Sequence, residues 1–211
     1  MKIAVVSESP ADEAAIKILV DAILGHETEL VSAARLRPGG WPQVLQLIPS
    51  ILKALHYYTD AEGIAVVVDS DSSPVHLLEQ PRDQECHSEC RICLLRNTLR
   101  TSLSRVSSVP NRATIKTAVG LAVPAIEAWY RCGLDAHVNE ARWSGSLAGE
   151  KIHFTKRSLK VDVYGSDQPS LRAETTTAVE AAHRLVHNIE QLGQLFPSGF
   201  GCLMADVRGW L

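Results

Sequence analysis

The sequence predicts an α/β fold of three layers, a mostly parallel β-sheet flanked by helices on both faces. Short apolar runs alternate with segments of helical periodicity in the first third of the chain. The run Ile64–Val68 contains no polar residue, as expected for a strand that is buried on both faces of a parallel sheet. The 211 residues, 45% of them apolar, suit a single domain at 1–211, and a Cys-rich insertion is predicted at about 79–106.

The first half of the chain supplies the clearest strand–helix alternation. Lys2–Val6 predicts a strand, and Ala11–Leu24 has apolar residues at helical spacing, with Ser9 suited to the N-cap. Glu27–Ala33 is expected to hold a second strand. The helical pattern that follows contains Pro49, which marks either a kink or the true start of that helix.

The later elements are less regular. In chain order they are a basic amphipathic helix at Leu94–Val106, a strand at Ala113–Val123, an irregular stretch at Gly133–Gly149 with one short helix, a long helix at Thr175–Phe196, and an apolar tail at Phe200–Leu211 that docks on the domain. Pro124 is expected in the first turn of a helix directly after its strand.

Acidic side chains follow two of the predicted strands. Asp69 and Asp71 come directly after the buried run, Glu8 follows the first strand, and Asp12 lies one helical turn later. Sites in parallel sheets gather at the carboxyl ends of the strands, and carboxylates suit Mg²⁺. The alternative for Asp69–Asp71 is a capped turn whose side chains accept backbone N–H groups.

Glu127 is a weaker candidate on its local pattern. It lies one turn into the helix predicted after the strand that ends at Val123. An acid at this position most often complements the helix dipole, so the local pattern alone favours that role over metal binding.

Three cysteines, Cys86, Cys90 and Cys93, form the densest group of soft metal ligands. They are compatible with zinc if His87 or Cys132 supplies a fourth ligand, and their spacing also matches the iron–sulfur pattern of radical-SAM enzymes. The third interpretation is unligated thiols on a helix. We favour free thiols, because the adjacent Cys86 and His87 cannot easily reach one ion.

Charge is distributed unevenly along the chain. Arg82–Lys160 contains 13 Lys and Arg against 7 Asp and Glu, although the whole chain has a net charge of −3. A basic segment beside an acidic metal site suits a phosphodiester substrate. No apolar run is long enough to span a bilayer and no cleavable signal is recognised, so we expect no membrane contact and a cytoplasmic location.

Several short motifs together resemble the Toprim fold, a metal-binding module of topoisomerases, bacterial primases and overcoming-lysogenization-defect (OLD) family nucleases. They are Val5-Val6-Ser7-Glu8-Ser9 followed by Asp12, the pair in Asp69-Ser70-Asp71, and Ile126-Glu127-Ala128-Trp129. The chain is similar in particular to small stand-alone prokaryotic Toprim-like proteins. It departs from the family pattern at Ser9, where glycine is usual.

The resemblance implies a nuclease that cleaves DNA or RNA with Mg²⁺ or Mn²⁺. It implies that Glu8, Asp69 and Asp71 hold the ion, that Asp12 and Glu127 support it or a second ion, and that Lys156, with Lys160 close behind, is the catalytic lysine. It further implies an ATPase partner in prokaryotic defence, since this sequence has no phosphate-binding Gly-x4-Gly-Lys-Ser/Thr loop of its own.

Two other functions compete with the nuclease. Asp69 and Asp71 also fit the Asp-x-Asp motif of haloacid-dehalogenase-like phosphatases, although a full strand–helix–strand–helix unit precedes them here. A non-catalytic Toprim-like binding scaffold is the third hypothesis. The sequence leaves the oligomeric state open, and a homo-oligomer is one alternative.

Overall fold

A parallel β-sheet forms the centre of the computed structural model, which describes residues 1–31, 39–76, 87–110 and 112–211. Within these residues the strands are β1 (Lys2–Val6), β2 (Glu29–Leu30), β3 (Gly63–Asp69) and β4 (Lys116–Ala122). Their order across the sheet is β2-β1-β3-β4, and every neighbouring pair is parallel. The predicted α/β fold with a parallel sheet is confirmed.

Helices cover this sheet. The described helices are α1 (Pro10–Leu24), α2 (Trp41–Tyr58), α3 (Arg91–Ser104), α4 (Ile126–Tyr130), α5 (Glu140–Leu147), α6 (Lys156–Tyr164), α7 (Leu171–Val186), α8 (Ile189–Leu195) and α9 (Phe200–Arg208). Helices α2 and α3 pack on each other and on β3 and β4, whereas α1 packs with α7 and α9. The β1–α1–β2 and β2–α2–β3 connections cross the sheet in opposite directions, so right-handed crossovers place α1 and α2 on opposite faces.

Strand β3 is the most deeply buried strand, with every residue from Gly63 to Val68 buried. Helix α9, near the C-terminus, packs on β4. Its Phe200 also packs edge-to-face on Trp129 of α4, with 5.1 Å between the ring centroids. The expectation that the tail docks is confirmed. None of the helices in the described part of the chain has both the length and the apolar character needed to cross a bilayer.

Several predicted boundaries are wrong. Helix α2 begins at Trp41 and continues through Pro49, so the alternative that the helix starts at Pro49 is wrong. Helix α4 begins only at Ile126, and Pro124 lies before it, after a cis peptide bond, rather than in its first turn. Helix α6 was not expected, yet Thr155 and Ser158 form a capping box at its start.

The long helix predicted at Thr175–Phe196 is two helices. Its first part begins earlier, at Leu171, where the Ser170 side chain accepts the N–H of Ala173. The break comes at Asn188, whose N–H donates to the carbonyl of Leu185 at 2.8 Å, only three residues back. This tighter turn ends α7 before α8 begins.

Residues 87–106 of the predicted Cys-rich insertion lie in the described part of the chain. There, α3 packs against α2 and β4 and buries Ile92, Leu95 and Leu99. This portion is therefore one of the helices that cover the sheet. Cys86 lies outside the described residues.

Candidate active site

The predicted acids lie at the carboxyl edge of the sheet, between β1 and β3. The chain leaves β1 toward β2 on one side, whereas β3 is the neighbour on the other side. A reversal of this kind opens a crevice beyond the strand ends, where ligands bind in parallel α/β sheets. Glu8 follows β1, Asp69 ends β3, and Glu127 follows β4, so three neighbouring strands each deliver one acid to this edge.

Asp69 is the centre of the site. Its N–H donates to Glu8 Oε1 at 3.0 Å, and its own Oδ1 accepts the N–H of Ile126 at 3.0 Å. The first bond joins the loops after β1 and β3, and the second joins β3 to the start of α4. The loop after β1 and the start of α4 are therefore both fixed relative to Asp69.

Asp71 has an unusual backbone conformation. Its φ is 50°, in the left-handed region that few residues other than glycine adopt. Its N–H donates to the carbonyl of Pro124 at 2.9 Å, and the N–H of Ser70 donates to that of Ala122 at 2.7 Å. Backbone strain of this kind is held by the surrounding structure and is concentrated at functional sites.

Two cations contact the aspartates. Lys156 Nζ lies 2.7 Å from Asp69 Oδ2 and also donates to Asp71 Oδ1. Arg91 Nη1 lies 2.9 Å from Asp71 Oδ2, and its guanidinium stacks over the Trp41 ring. Asp69 Oδ1 does accept a main-chain N–H, as in the capped-turn alternative, but from Ile126 at the start of α4, and both carboxylates also contact cations from other elements. Sequence reasoning predicted Lys156 but missed Arg91, whose signal was its place at the start of the basic helix.

Asp12 and Glu127 are the two remaining predicted acids of the site. Burial, and then the charge of Asp69, raise the pKa of Asp12 well above its usual value. The same two causes raise the pKa of Glu127 to about 7. Both acids therefore lie within electrostatic range of Asp69, and their convergence on one metal ion stays a prediction.

The first-strand acid and the aspartate pair also have shifted pKa values. Burial and the charge of Asp69 raise the pKa of Glu8. Burial raises the pKa of Asp69 although Lys156 opposes it. Burial acts to raise the pKa of Asp71 too, but Lys156 and Arg91 outweigh it and hold that pKa below its usual value. The two aspartates in turn raise the pKa of Lys156 above its ordinary value, against the effect of burial.

Two tyrosines missed by sequence reasoning complete the site. The hydroxyls of Tyr130 and Tyr164 are buried and have no hydrogen-bond partner among the described residues. Burial raises the pKa of both, followed by Asp12 for Tyr130 and by Glu127 for Tyr164. A buried hydroxyl without a partner carries a free-energy cost that a water or a ligand would remove.

The soft ligands form a second, separate cluster. The ligand atoms of His76, Cys90 and Cys93 lie within 4.8 Å of one another, and all three residues are buried. This group could bind a metal ion. The predicted zinc ligands Cys90 and Cys93 belong to it, but neither His87 nor Cys132 does.

His76 was not predicted as a ligand, and its only signal was a His-x13-Cys-x2-Cys spacing. Among the described residues, no three acids reach the same mutual spacing of ligand atoms. The Mg²⁺ or Mn²⁺ site therefore stays a prediction.

The chain matched no protein-family model, no curated protein and no solved structure with which we compared it.

Proposed function

We propose that this protein hydrolyses phosphodiester bonds of DNA or RNA with Mg²⁺ or Mn²⁺ held by the acids at the carboxyl edge of the sheet. One observation carries the proposal. Acids that follow three neighbouring strands lie at one edge of the sheet, and in the described part of the chain they outnumber the two cations that contact Asp69 and Asp71, namely Lys156 and Arg91. An excess of buried negative charge is stable only with a counter-charge or with protonation.

The donor set fits a hard divalent cation. Mg²⁺ and Mn²⁺ prefer carboxylate oxygens and commonly retain water. Burial is the main cause that raises the pKa values of Glu8, Asp12, Asp69 and Glu127, and a bound cation would favour their ionised forms. The partnerless hydroxyls beside Asp12 and Glu127 are suited to donate to water or to a bound phosphate.

Each residue receives a role in this proposal. Glu8, Asp69 and Asp71 hold the ion, while Asp12 and Glu127 support it or a second one. When bound, Mg²⁺ or Mn²⁺ would act as a Lewis acid and would lower the pKa of a water molecule bound to it, which makes that water a better nucleophile at neutral pH.

The two cations act on the substrate. Lys156 and Arg91 already bind carboxylate oxygens, and the same N–H groups suit phosphate oxygens, whose developing charge they would stabilise. Arg91 is additionally fixed by the Trp41 ring.

The basic middle of the sequence supports a nucleic-acid substrate. Arg91 and Lys156 both belong to the segment Arg82–Lys160, in which basic residues outnumber acidic ones 13 to 7. Positive charge around an acidic centre attracts a polyanion while the metal neutralises the acids. The resemblance to Toprim-fold nucleases supports the same substrate class.

The direct test compares cleavage of plasmid and single-stranded nucleic acid by the wild type and Asp69→Asn, with Mn²⁺, Mg²⁺ or neither. Asn keeps the size of the side chain and an acceptor for the N–H of Ile126, but it removes the charge. We expect metal-dependent cleavage that falls at least about 100-fold in Asp69→Asn, the scale of a lost charge-stabilising group. Asp162→Asn, at an exposed position of α6, is the matched control and should cleave like the wild type.

The other outcomes separate the competing functions. Equal cleavage by both proteins would refute the proposal. A phosphorylated Asp69 trapped with a fluoride analogue would favour the haloacid-dehalogenase-like phosphatase. Tight binding of nucleic acid or protein without cleavage, retained in Asp69→Asn, would favour the scaffold.

An ATPase partner in prokaryotic defence is part of the proposal. It predicts that the purified chain alone cleaves weakly and that an ATP-hydrolysing partner accelerates cleavage. Full activity of the isolated chain, with no response to ATP and a cell extract, would contradict that part alone.

A further inference from the structure

The cluster His76–Cys90–Cys93 has the dimensions of an occupied zinc site. His76 Nδ1 lies 3.5 Å from Cys93 Sγ and 3.8 Å from Cys90 Sγ. Zinc bonds of about 2.3 Å to sulfur and 2.0–2.1 Å to nitrogen, at the tetrahedral angle, separate the two donor atoms by about 3.6 Å. The two nitrogen–sulfur distances therefore already match those around one Zn²⁺, and the three ligand atoms all lie within 4.8 Å of one another.

Hydrogen bonding explains the same geometry poorly. A neutral imidazole has one proton or one lone pair at Nδ1, so this nitrogen cannot make a well-directed bond to two sulfurs at once. A metal ion between the three atoms uses all of them together. The surroundings are suitable as well, since Cys90 is fully buried and His76 and Cys93 are 3% and 6% exposed.

The sequence places the two sulfurs where a metal is easily bound. Cys90 is the N-cap of α3 and Cys93 lies in its first turn, so both face the N-terminal end of a 14-residue helix. Within the described residues, the Cys90 side chain makes no capping hydrogen bond to this helix. The partial positive charge of a helix N-terminus favours anionic ligands such as thiolates at this position.

The cluster is directly connected to the active-site acids. Arg91 follows Cys90 in the chain and contacts Asp71 Oδ2 at 2.9 Å, and His76 lies five residues after Asp71. A metal ion would therefore tie the loop after β3 to the start of α3 at one point, while the Arg91–Asp71 pair ties them at a second point.

We propose that His76 Nδ1, Cys90 Sγ and Cys93 Sγ bind one Zn²⁺, and that this ion positions Arg91 against Asp71. Arg91 contacts the acids, and the zinc ligands act through it as positioning residues. The fourth position of a tetrahedral ion is filled by another donor. This proposal concerns a second metal and stands or falls independently of phosphodiester hydrolysis.

Metal content tests the site itself. The chain is purified under reducing conditions, and its zinc is measured by elemental analysis together with that of His76→Ala, Cys90→Ser and Cys93→Ser. We expect about one Zn²⁺ per wild-type chain, as for a structural site, and a loss of at least tenfold in each variant. Cys132→Ser is the matched control, because Cys132 is also buried but lies outside the cluster.

A second measurement is independent of how the variants fold. Zinc-free, reduced wild type is titrated with Co²⁺, and binding to the cluster should produce intense thiolate-to-cobalt absorption that Zn²⁺ abolishes. No zinc after purification and no uptake of Co²⁺ or Zn²⁺ by the reduced wild type would overturn the proposal in favour of free thiols. A zinc content in all three ligand variants that equals that of the wild type would also overturn it.

The positioning of Arg91 is tested by thermal denaturation with and without zinc. Arg91→Ala should lower the midpoint at least twice as much in the zinc-loaded protein as in the zinc-free protein, because the ion is proposed to strengthen the contact of Arg91 with Asp71. Arg100→Ala, at an exposed position on α3, should lower it equally in both states. An equal effect of Arg91→Ala in both states would refute the positioning role while leaving the zinc site intact.

Discussion

Glu127 offers the sharpest test of the acid site, because its pKa is raised to about 7 by burial and by Asp69. The change Glu127→Gln removes the charge and keeps the shape. The pKa shift from 4.5 to about 7, at 1.36 kcal/mol per unit, corresponds to about 3 kcal/mol of unfavourable free energy when the folded protein ionises this carboxyl.

The sign follows from proton binding. Below pH 4.5, both the folded and the unfolded chain hold the proton, and Glu127 adds no pH dependence. Between pH 4.5 and 7 the unfolded chain releases the proton first, so the free energy of unfolding of the wild type falls as pH rises. At about pH 8 the full cost is present, and Glu127→Gln should be the more stable protein by about 3 kcal/mol.

The assay is urea denaturation over this pH range in buffer without divalent cations. Glu180→Gln, at an exposed position of α7, is the control and should follow the wild type at every pH. If the acids hold a cation, adding Mn²⁺ at about pH 8 should stabilise the wild type more than Glu127→Gln and reduce the difference. If the stability difference between the wild type and Glu127→Gln does not change with pH, the raised pKa assigned to the buried Glu127 carboxyl is refuted.

Three further predictions concern single contacts. Gly199→Ala would place a Cβ 2.0 Å from the carbonyl oxygen of Leu121, so we expect a loss of about 3 kcal/mol by urea denaturation. Gly193→Ala is its control, since there the added carbon meets only a flexible side chain, and an equally large loss there would contradict the backbone clash. Arg112→Ala should cost at least about 2 kcal/mol, because the guanidinium donates to three main-chain carbonyls around the end of α2, and an unchanged midpoint would contradict this. Lys156→Met should lower the Kd for Mn²⁺ about tenfold by calorimetry, since the ammonium occupies the aspartate oxygens that a metal would use, and weaker binding would show that it does not compete.

The sequence was most informative where the chemistry is local. An uninterrupted apolar run ending in Asp69 specifies both a buried strand and the position of its last residue, because side-chain burial and strand direction act over a few residues. The same reasoning placed Glu8 after β1. The carboxyl ends of parallel strands share one edge of the sheet. The placement of Glu8 and Asp69 at the same edge therefore followed from the predicted topology and needed no information about contacts.

Contacts between distant segments were beyond local patterns. His76 meets Cys93 only after the chain has passed through the loop after β3 and the start of α3, and nothing in the residues around His76 indicates that meeting. Arg91 precedes the helix predicted at Leu94–Val106, so no local pattern singled it out. Lys156 was predicted through a resemblance rather than through its surroundings, and the helix that carries it was missed.

The loop after β3 gives the two sites an unequal dependence on each other. Asp71 keeps its left-handed backbone through the bond from its N–H to the carbonyl of Pro124 and through Lys156 and Arg91. Cys90 and Cys93, in contrast, belong to α3, which is held by its own packing on α2 and β4. If the cluster binds Zn²⁺ as proposed, loss of the ion would release the short stretch from Asp71 to His76 from α3 and so weaken the Arg91–Asp71 contact, whereas loss of the Asp71 charge would leave both sulfurs in place. Substitutions in the cysteine cluster should therefore disturb the acid site much more than substitution of Asp71 disturbs the cysteine cluster.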